Sequence, residues 1–218
     1  MKVVILAGGR GTRLSEETGV RPKPMVEIGG QPILWHILKI YAHHGFRDFV
    51  ILLGYRGFEI KQYFADYFLH RSDLRFDLGA NSMEVLSSKA EDWRVTLLDT
   101  GVETLTGGRI RRAADHLKGE RFLLTYGDGL ADVDLTSLIA HHESCGGLAT
   151  LTSIQPPSRF GVLDLDGDQV RSFREKPSGE GSWINGGFFV CEPGVLDYLD
   201  DRDDLVFERE PLEQLALE

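Results

Sequence analysis

The sequence has little of what marks a secreted, membrane-bound or nucleic-acid-coating protein. Its 218 residues hold two cysteines, Cys145 and Cys191, in separate segments with neither metal-ligand nor redox spacing. A disulfide scaffold is therefore excluded as the organising principle, and reduced thiols are expected. No apolar run approaches the ~20 residues needed to cross a bilayer. The first apolar stretch starts at Lys2, which leaves no room for a signal peptide. A cytoplasmic protein without a membrane partner is the expectation. Positive charge is also scarce, 24 Lys and Arg against 34 Asp and Glu, for a formal net charge of -10. That argues against a nucleic-acid partner bound by phosphate neutralisation, while a local basic pocket stays open. The seven histidines show no HExxH spacing and have no cysteine partners, so zinc is not expected. No G-x-S-x-G elbow supports a hydrolase triad. There is no internal repeat, low-complexity tract or linker.

What is present reads as one globular domain, 1–218, of ordinary composition, 42% hydrophobic and 27% charged. `KVVILA` and `DFVILLG` are short continuous apolar runs stopped by glycine, the pattern of strands buried on both faces. Between them, `PILWHILKIYAHHG` carries Ile33, Leu34, Ile37, Leu38 and Tyr41 at helical spacing and is closed by Gly45. `FEIKQYFADYFLH` reads as a second amphipathic helix. `RVTLLDTG`, `RFLLTYGDG`, `LATLTSIQ` and `GGFFVCEP` are further strands, and `GGRIRRAADHLKG` is a helix ending at Gly119. `DLTSLIAHHES` is a helix with Asp134 as its cap, and `GVLDYL` and `EREPLEQLALE` are short helices. `GVLDLDGDQVRSFREK` alternates around `DGD` and predicts a hairpin. Strand alternating with helix predicts an α/β fold with a mostly parallel, Rossmann-like sheet and an antiparallel hairpin as decoration.

The chemistry is concentrated at strand ends. `LAGGRGTRL` has Gly9 and Gly11 for the first pair of a dinucleotide fingerprint, but Leu14 stands where the third glycine belongs. The G-K-[ST] ending of a Walker A loop is absent as well. Glycines at 8, 9 and 11 still allow the backbone to approach a ligand closely and to aim N–H groups at anionic oxygens. Arg13 follows, and `RPKPM` sets Lys23 between two prolines, so a guanidinium and an ammonium suit a triphosphate or a developing pyrophosphate. The plain alternative is a turn with incidental surface charge. Asp128, in `LTYGDG`, lies just past a buried strand and is either a Mg²⁺ ligand or a turn aspartate; Asp132 and Asp134 read as solvated turn or cap residues. Arg109 stands near a helix start, where it is expected to meet a phosphate, while Arg111 and Arg112 equally suit a solvated helix face. Glu175, Lys176, Asn185 and Gly186 suit a polyhydroxylated ligand, or else a surface ion pair and a strand entry.

These segments resemble the sugar-1-phosphate nucleotidylyltransferases. `LAGGRGTRL` with `RPKPM` is similar to the signature of that superfamily. `PMVEIGGQPILWHILKIY`, `GYRGFEIKQYFADYFLH`, `WRVTLLDTG`, `TGGRIRR`, `TYGDG`, `RFGVLDL`, `EKP` and `INGGFFV` resemble its cytidylyl branch, over essentially the whole chain. The resemblance implies a fold of nucleotide-diphospho-sugar transferase type, with a nucleotide-binding portion over roughly 1–130 and a sugar-phosphate portion over roughly 131–218. It implies transfer of a cytidylyl group from CTP to α-D-glucose 1-phosphate, giving CDP-glucose and pyrophosphate, with Mg²⁺ as cofactor. It also implies a homo-oligomer of hexameric type, at work in bacterial CDP-sugar and O-antigen synthesis.

Carried over residue by residue, Leu6, Ala7, Gly8, Gly9, Arg10, Gly11, Thr12 and Arg13 would hold CTP, with Arg13 on its phosphates. Lys23 would contact phosphates at the reacting centre, and Thr104 and Arg109 would join the nucleotide contacts. Asp128 would bind Mg²⁺, while Lys176 and Asn185 would lie on the sugar-phosphate side. Family members carry a further Gly-x-Trp motif and a Met-Asp-Thr stretch, whose aspartate is a second Mg²⁺ ligand. The sequence, which ends at Glu218, contains no substitute for that stretch after its last strand. Two other readings stay open: thymidylyl or uridylyl transfer to a related hexose 1-phosphate, and a nucleotide-sugar-binding domain without turnover.

Overall fold

The computed structural model describes residues 1–11, 21–156, 162–166, 169–174 and 183–217. Six strands form one sheet in the order β7-β4-β1-β8-β12-β9: β1 (Lys2–Ala7), β4 (Asp48–Leu53), β7 (Arg94–Asp99), β8 (Phe122–Tyr126), β9 (Ala149–Ile154) and β12 (Ile184–Cys191). The pairings β7–β4, β4–β1 and β1–β8 are parallel. The expected largely parallel α/β sheet is thus present.

The continuous apolar runs are explained by two cores. Val3, Ile5, Ala7, Phe49 and Ile51 point to one face, where they meet α1 (Ile33–His43), α2 (Gly57–His70) and α5 (Leu135–Cys145). Val4, Leu6, Val50 and Leu52 point to the other, against α3 (Thr106–Arg112), α4 (Ala114–Leu117) and the segment Leu196–Phe207. A strand covered on both sides has no position left for a polar residue. Burying about ten such side chains, each contributing roughly 1.5–3 kcal/mol, makes this central sheet the rigid frame of the site.

Asp134 caps α5 as expected, its carboxylate accepting from the backbone N–H groups of Thr136 and Ser137, and Gly146 (φ 68°) ends the helix. The helix expected over `GGRIRRAADHLKG` is divided at Ala113 into α3 and α4. The two arms of the hairpin expected around `DGD` pair as β10 (Val162–Asp166) and β11 (Gln169–Arg174), while Gly167 and Asp168 lie outside the described residues. Three antiparallel features go beyond that expectation. β12 enters the main sheet antiparallel to both β8 and β9. A separate ribbon, β5 (Ser72–Asp77) with β6 (Ser82–Ser88), stands at the surface. The small pair β2 (Glu27–Ile28) and β3 (Gln31–Pro32) precedes α1, and α6 (Glu210–Leu215) is the last described helix.

Candidate active site

β1 and β8 lie side by side, yet the chain leaves them in opposite directions, from β1 toward β4 and from β8 toward β9 and β12. Diverging connections open a crevice at the carboxyl ends of the two strands. There the structure has a cavity of about 390 Å³, walled by the loop after β1, by Lys23 and Pro24, by residues 102–106 with Arg109, and by Tyr126 to Asp128. Of the residues expected at the site, Leu6, Ala7, Gly8, Gly9, Arg10, Gly11, Lys23, Thr104, Arg109 and Asp128 are all brought to this wall. Thr12, Arg13 and Lys176 lie outside the described residues.

Lys23 and Asp128 meet at the seam of the crevice, 105 residues apart in sequence and joined as an ion pair. Lys23 sits on a single 3₁₀ turn, Lys23–Met25, whose Pro24 and Met25 are buried. That anchoring aims the ammonium into the cavity. Asp128 follows Gly127, whose N–H donates to the carbonyl of Leu6 at 2.9 Å, so the end of β8 is tied to the end of β1. Across the mouth, Arg10 of the glycine loop pairs with Glu103, both exposed.

Arg109 is placed differently from a surface phosphate contact. It is 4% exposed. Its Nη1 donates to the carbonyls of Leu53 (2.9 Å) and Gly101 (2.7 Å) and to Thr100 Oγ1 (2.8 Å), and its Nη2 donates to the carbonyl of Gly8 (3.0 Å). Burial, with nearby Arg112 adding to it, lowers its pKa from the usual guanidinium value. The side chain bolts three loops together from behind the cavity. Gly8 makes room for it, since a Cβ there would stand 2.2 Å from Arg109 Cζ, whereas a Cβ on Gly9 would meet nothing within 4 Å. The start of α3 is engaged too: the N–H groups of Gly107 and Gly108 donate to the carbonyl of Leu205 at 2.9 and 3.2 Å.

On the other side of the crevice, exposed Asn185 reaches the cavity wall. Its Nδ2 donates to Tyr126 Oη at 3.0 Å and its Oδ1 accepts from the N–H of Gly187 at 2.8 Å. Tyr126 Oη in turn donates to Glu208 Oε1 at 2.6 Å. Burial and the Glu208 carboxylate push the Tyr126 phenol above its usual value, so it stays protonated and donates.

A family model described as nucleotidyl transferase matches residues 2–213. The chain belongs to the nucleotidyl transferase family. It is 58% identical over 217 residues to the glucose-1-phosphate cytidylyltransferase of Salmonella typhi, covering 99% of this chain and 84% of that protein. It is 50% identical to the probable glucose-1-phosphate cytidylyltransferase of Bacillus subtilis (strain 168), again covering 99% of this chain and 84% of that protein. Among solved structures it is similar to the crystal structure of HddC from Yersinia pseudotuberculosis. There the TM-score is 0.66 at 26% identity, covering 95% of this chain and 83% of that one.

For a nucleotidyl transferase, the donor set matters as much as the fold. Among the described residues no three His, Cys, Asp or Glu side chains converge as a metal cage. Asp128 is a single half-exposed carboxylate on an open cavity. One carboxylate completed by phosphate oxygens and water is a donor set that suits Mg²⁺, so the residues present fit that ion.

Other residues of the site are brought in by the fold: Glu103, Thr106 and Tyr126 line the cavity, while behind it Thr100 shares Arg109 and Glu208 holds Tyr126. Tyr126 stands inside the quoted `LTYGDG`, and its place at the strand end was a usable signal. Glu208 offered none, being 82 residues away from its partner.

Proposed function

We infer that the protein transfers a cytidylyl group from CTP to α-D-glucose 1-phosphate, releasing pyrophosphate and forming CDP-glucose. The observation that carries this is the 58% identity to a glucose-1-phosphate cytidylyltransferase over 99% of the chain, with the Lys23–Asp128 pair seated in the crevice. A phosphate oxygen of the sugar phosphate attacks the α-phosphorus of CTP. The new P–O bond forms as the bond to the β-phosphate oxygen breaks, and its electron pair leaves with pyrophosphate. The nucleophile is already anionic, so no general base is required. What the reaction needs is alignment and charge neutralisation.

This chain's residues supply both. The ammonium of Lys23 lies between the two anionic reactants and offsets their repulsion. Backbone N–H groups of the loop from Gly8 to Gly11 face phosphate oxygens, and Arg13 adds a guanidinium on the leaving side. Mg²⁺, held by Asp128 when bound, supplies Lewis-acid polarisation of phosphate oxygens. The Lys23–Asp128 pair keeps both charged groups at the seam with their charges balanced until substrate takes their place. The nucleotide is read by roughly residues 1–130, and the sugar phosphate by roughly 131–218 through Lys176 and Asn185. The compartment is the cytoplasm, where the unpaired Cys145 and Cys191 stay reduced.

A homo-oligomer belongs to the same reading. Phe76 faces Met83 across the β5–β6 ribbon, and they are 58% and 47% exposed, with Leu78 at 90%. A two-stranded ribbon is marginal alone and gains from a covered apolar face. Light scattering that gives a monomer mass would remove this part of the proposal.

The decisive assay is pyrophosphate release over a matrix of nucleotides and sugar phosphates. CTP with glucose 1-phosphate is expected to be fastest. Equal turnover of CTP and dTTP would defeat the cytidylyl assignment. Tight CTP binding with no pyrophosphate release under any pairing would identify a binding domain instead.

A further inference from the structure

The segment Asp203–Glu208 runs along the start of α3 and is pinned there. The N–H of Leu105 donates to the carbonyl of Asp203 at 2.7 Å, the N–H of Phe207 donates to Thr106 Oγ1 at 2.9 Å, and Leu205 and Phe207 are buried in the second core. This fixes the backbone at Glu208 and turns its half-buried carboxylate between two cavity walls. Glu208 Oε2 accepts from Thr106 Oγ1 at 2.6 Å, on the wall beside the glycine loop. Glu208 Oε1 accepts from Tyr126 Oη at 2.6 Å, on the lining stretch Tyr126 to Asp128 at the end of β8. Thr106 and Tyr126 both line the cavity; Glu208 itself stands behind it.

The direction of the protons follows from the donors. The N–H of Phe207 already donates to Thr106 Oγ1, and Asn185 Nδ2 already donates to Tyr126 Oη, so each hydroxyl sends its own proton to Glu208. Each O–H meets its own oxygen of Glu208, and a carboxamide in the same place would offer an acceptor at only one of the two positions. With Tyr126 Oη held as an acceptor toward Asn185, and Asn185 Oδ1 occupied by the N–H of Gly187, the second N–H of the Asn185 amide is the one left to meet a ligand.

We propose that Glu208 is a positioning residue for the sugar phosphate. Through Thr106–Glu208–Tyr126–Asn185 it locks the two walls of the crevice at one spacing, and it orients the Asn185 amide so that a donor faces a hydroxyl or phosphate oxygen of the acceptor substrate. The inference rests on the transfer reaction proposed above. It adds that the carboxylate acts without touching either substrate, and that its effect falls on the sugar phosphate and not on CTP.

The test is steady-state kinetics of E208Q, Y126F and the double variant against wild type, with melting temperatures measured in parallel. E208Q keeps the shape but accepts from one hydroxyl only, and Y126F keeps the ring against Phe189 while removing both hydrogen bonds. Each single variant is expected to raise KM for glucose 1-phosphate about 3- to 10-fold, the size of one lost hydrogen bond, with KM for CTP unchanged. The double variant is expected to be no worse than the poorer single, because both changes cut one chain. Unchanged KM for glucose 1-phosphate in both single variants overturns the proposal. So does an equal rise in both KM values accompanied by a lowered melting temperature, which is the mark of a merely structural carboxylate. Wild-type turnover in the same experiment reports separately on the reaction. If wild type prefers another pair, the cytidylyl reading fails, and the same KM split is read on the acceptor it does use.

Discussion

The two walls of the crevice are held by different physics. Beside the glycine loop, a buried guanidinium donates to the backbone carbonyls of Gly8, Leu53 and Gly101 from within the core. On the facing wall, Asn185 is exposed and is held by one side-chain hydrogen bond to Tyr126 and one contact with its own strand. The first arrangement couples loop geometry to the stability of the whole sheet, because a buried guanidinium displaced from its carbonyls has no water to turn to. The second couples geometry only to its neighbours, so a change there alters a substrate contact while the sheet persists. On the partition proposed above, the wall that approaches a triphosphate closely gains from being immovable, and the wall that admits and releases a sugar phosphate gains from lighter fastening.

The largest effects are expected at the seam where the walls meet. Lys23→Ala and Asp128→Ala should each lower kcat by about 10²–10³-fold, the range found when one preorganised charge-stabilising group is removed. Both side chains stand at an open cavity, so circular dichroism melts should stay close to wild type. A variant that keeps wild-type turnover would show that the seam pair is not part of the chemistry. A loss of turnover matched by a loss of folding would show that the pair belongs to the rigid wall.

Two adjacent glycines sharpen the contrast within the rigid wall. Gly8→Ala places a methyl group 2.2 Å from the Arg109 guanidinium carbon and forces the bolt out of place. A cost of about 1–3 kcal/mol in denaturant unfolding is expected, together with reduced turnover. Gly9→Ala meets no atom within 4 Å, so unfolding should change by less than about 0.5 kcal/mol, while KM for CTP rises because the added methyl adjoins the cavity Gly9 lines. Equal unfolding curves for the two variants would remove Arg109 as the reason for Gly8.

These residues also show how far a sequence can be read. The apolar runs of β1 and β4 announce strands covered on both faces, because no other environment tolerates Val3 to Leu6 without a polar position. Asp128 and Lys23 were legible because strand ends and proline-stiffened turns place side chains predictably. The direction of Arg109 was not, since a glycine-rich helix start says nothing about whether the guanidinium turns toward solvent or back onto carbonyls. The antiparallel entry of β12 was hidden for a related reason: apolar periodicity reports which faces are buried and is blind to strand direction. The β5–β6 ribbon did leave a trace, with Leu74, Phe76 and Leu78 alternating before a turn at Gly79 to Asn81, where Asn81 takes φ 50°. Glu208 left no trace, because its partners come from distant segments and only the folded chain brings them together.

The smallest effect is expected at a position that belongs to neither wall. Asp134 caps α5 on the far side of the Asp128 turn, accepting from the N–H groups of Thr136 and Ser137 and from Ser137 Oγ at 2.6 Å. The Ser137 hydroxyl, followed by these backbone donors, lowers its pKa from the ordinary 3.8. A depressed carboxylate contributes stability that is fully present above the unfolded-state value and is lost as the pH falls through the folded-state value. Asp134→Asn retains an acceptor oxygen for the cap but has no proton to gain. The stability difference between wild type and the Asn variant should therefore be constant from neutral pH down to about 4 and shrink below it. Kinetic constants for both substrates should match wild type throughout. A changed KM for glucose 1-phosphate in this variant would mean that the loop from Asp128 to Asp134 transmits strain into the lightly fastened wall, and the division between the two walls would have to be redrawn to include it.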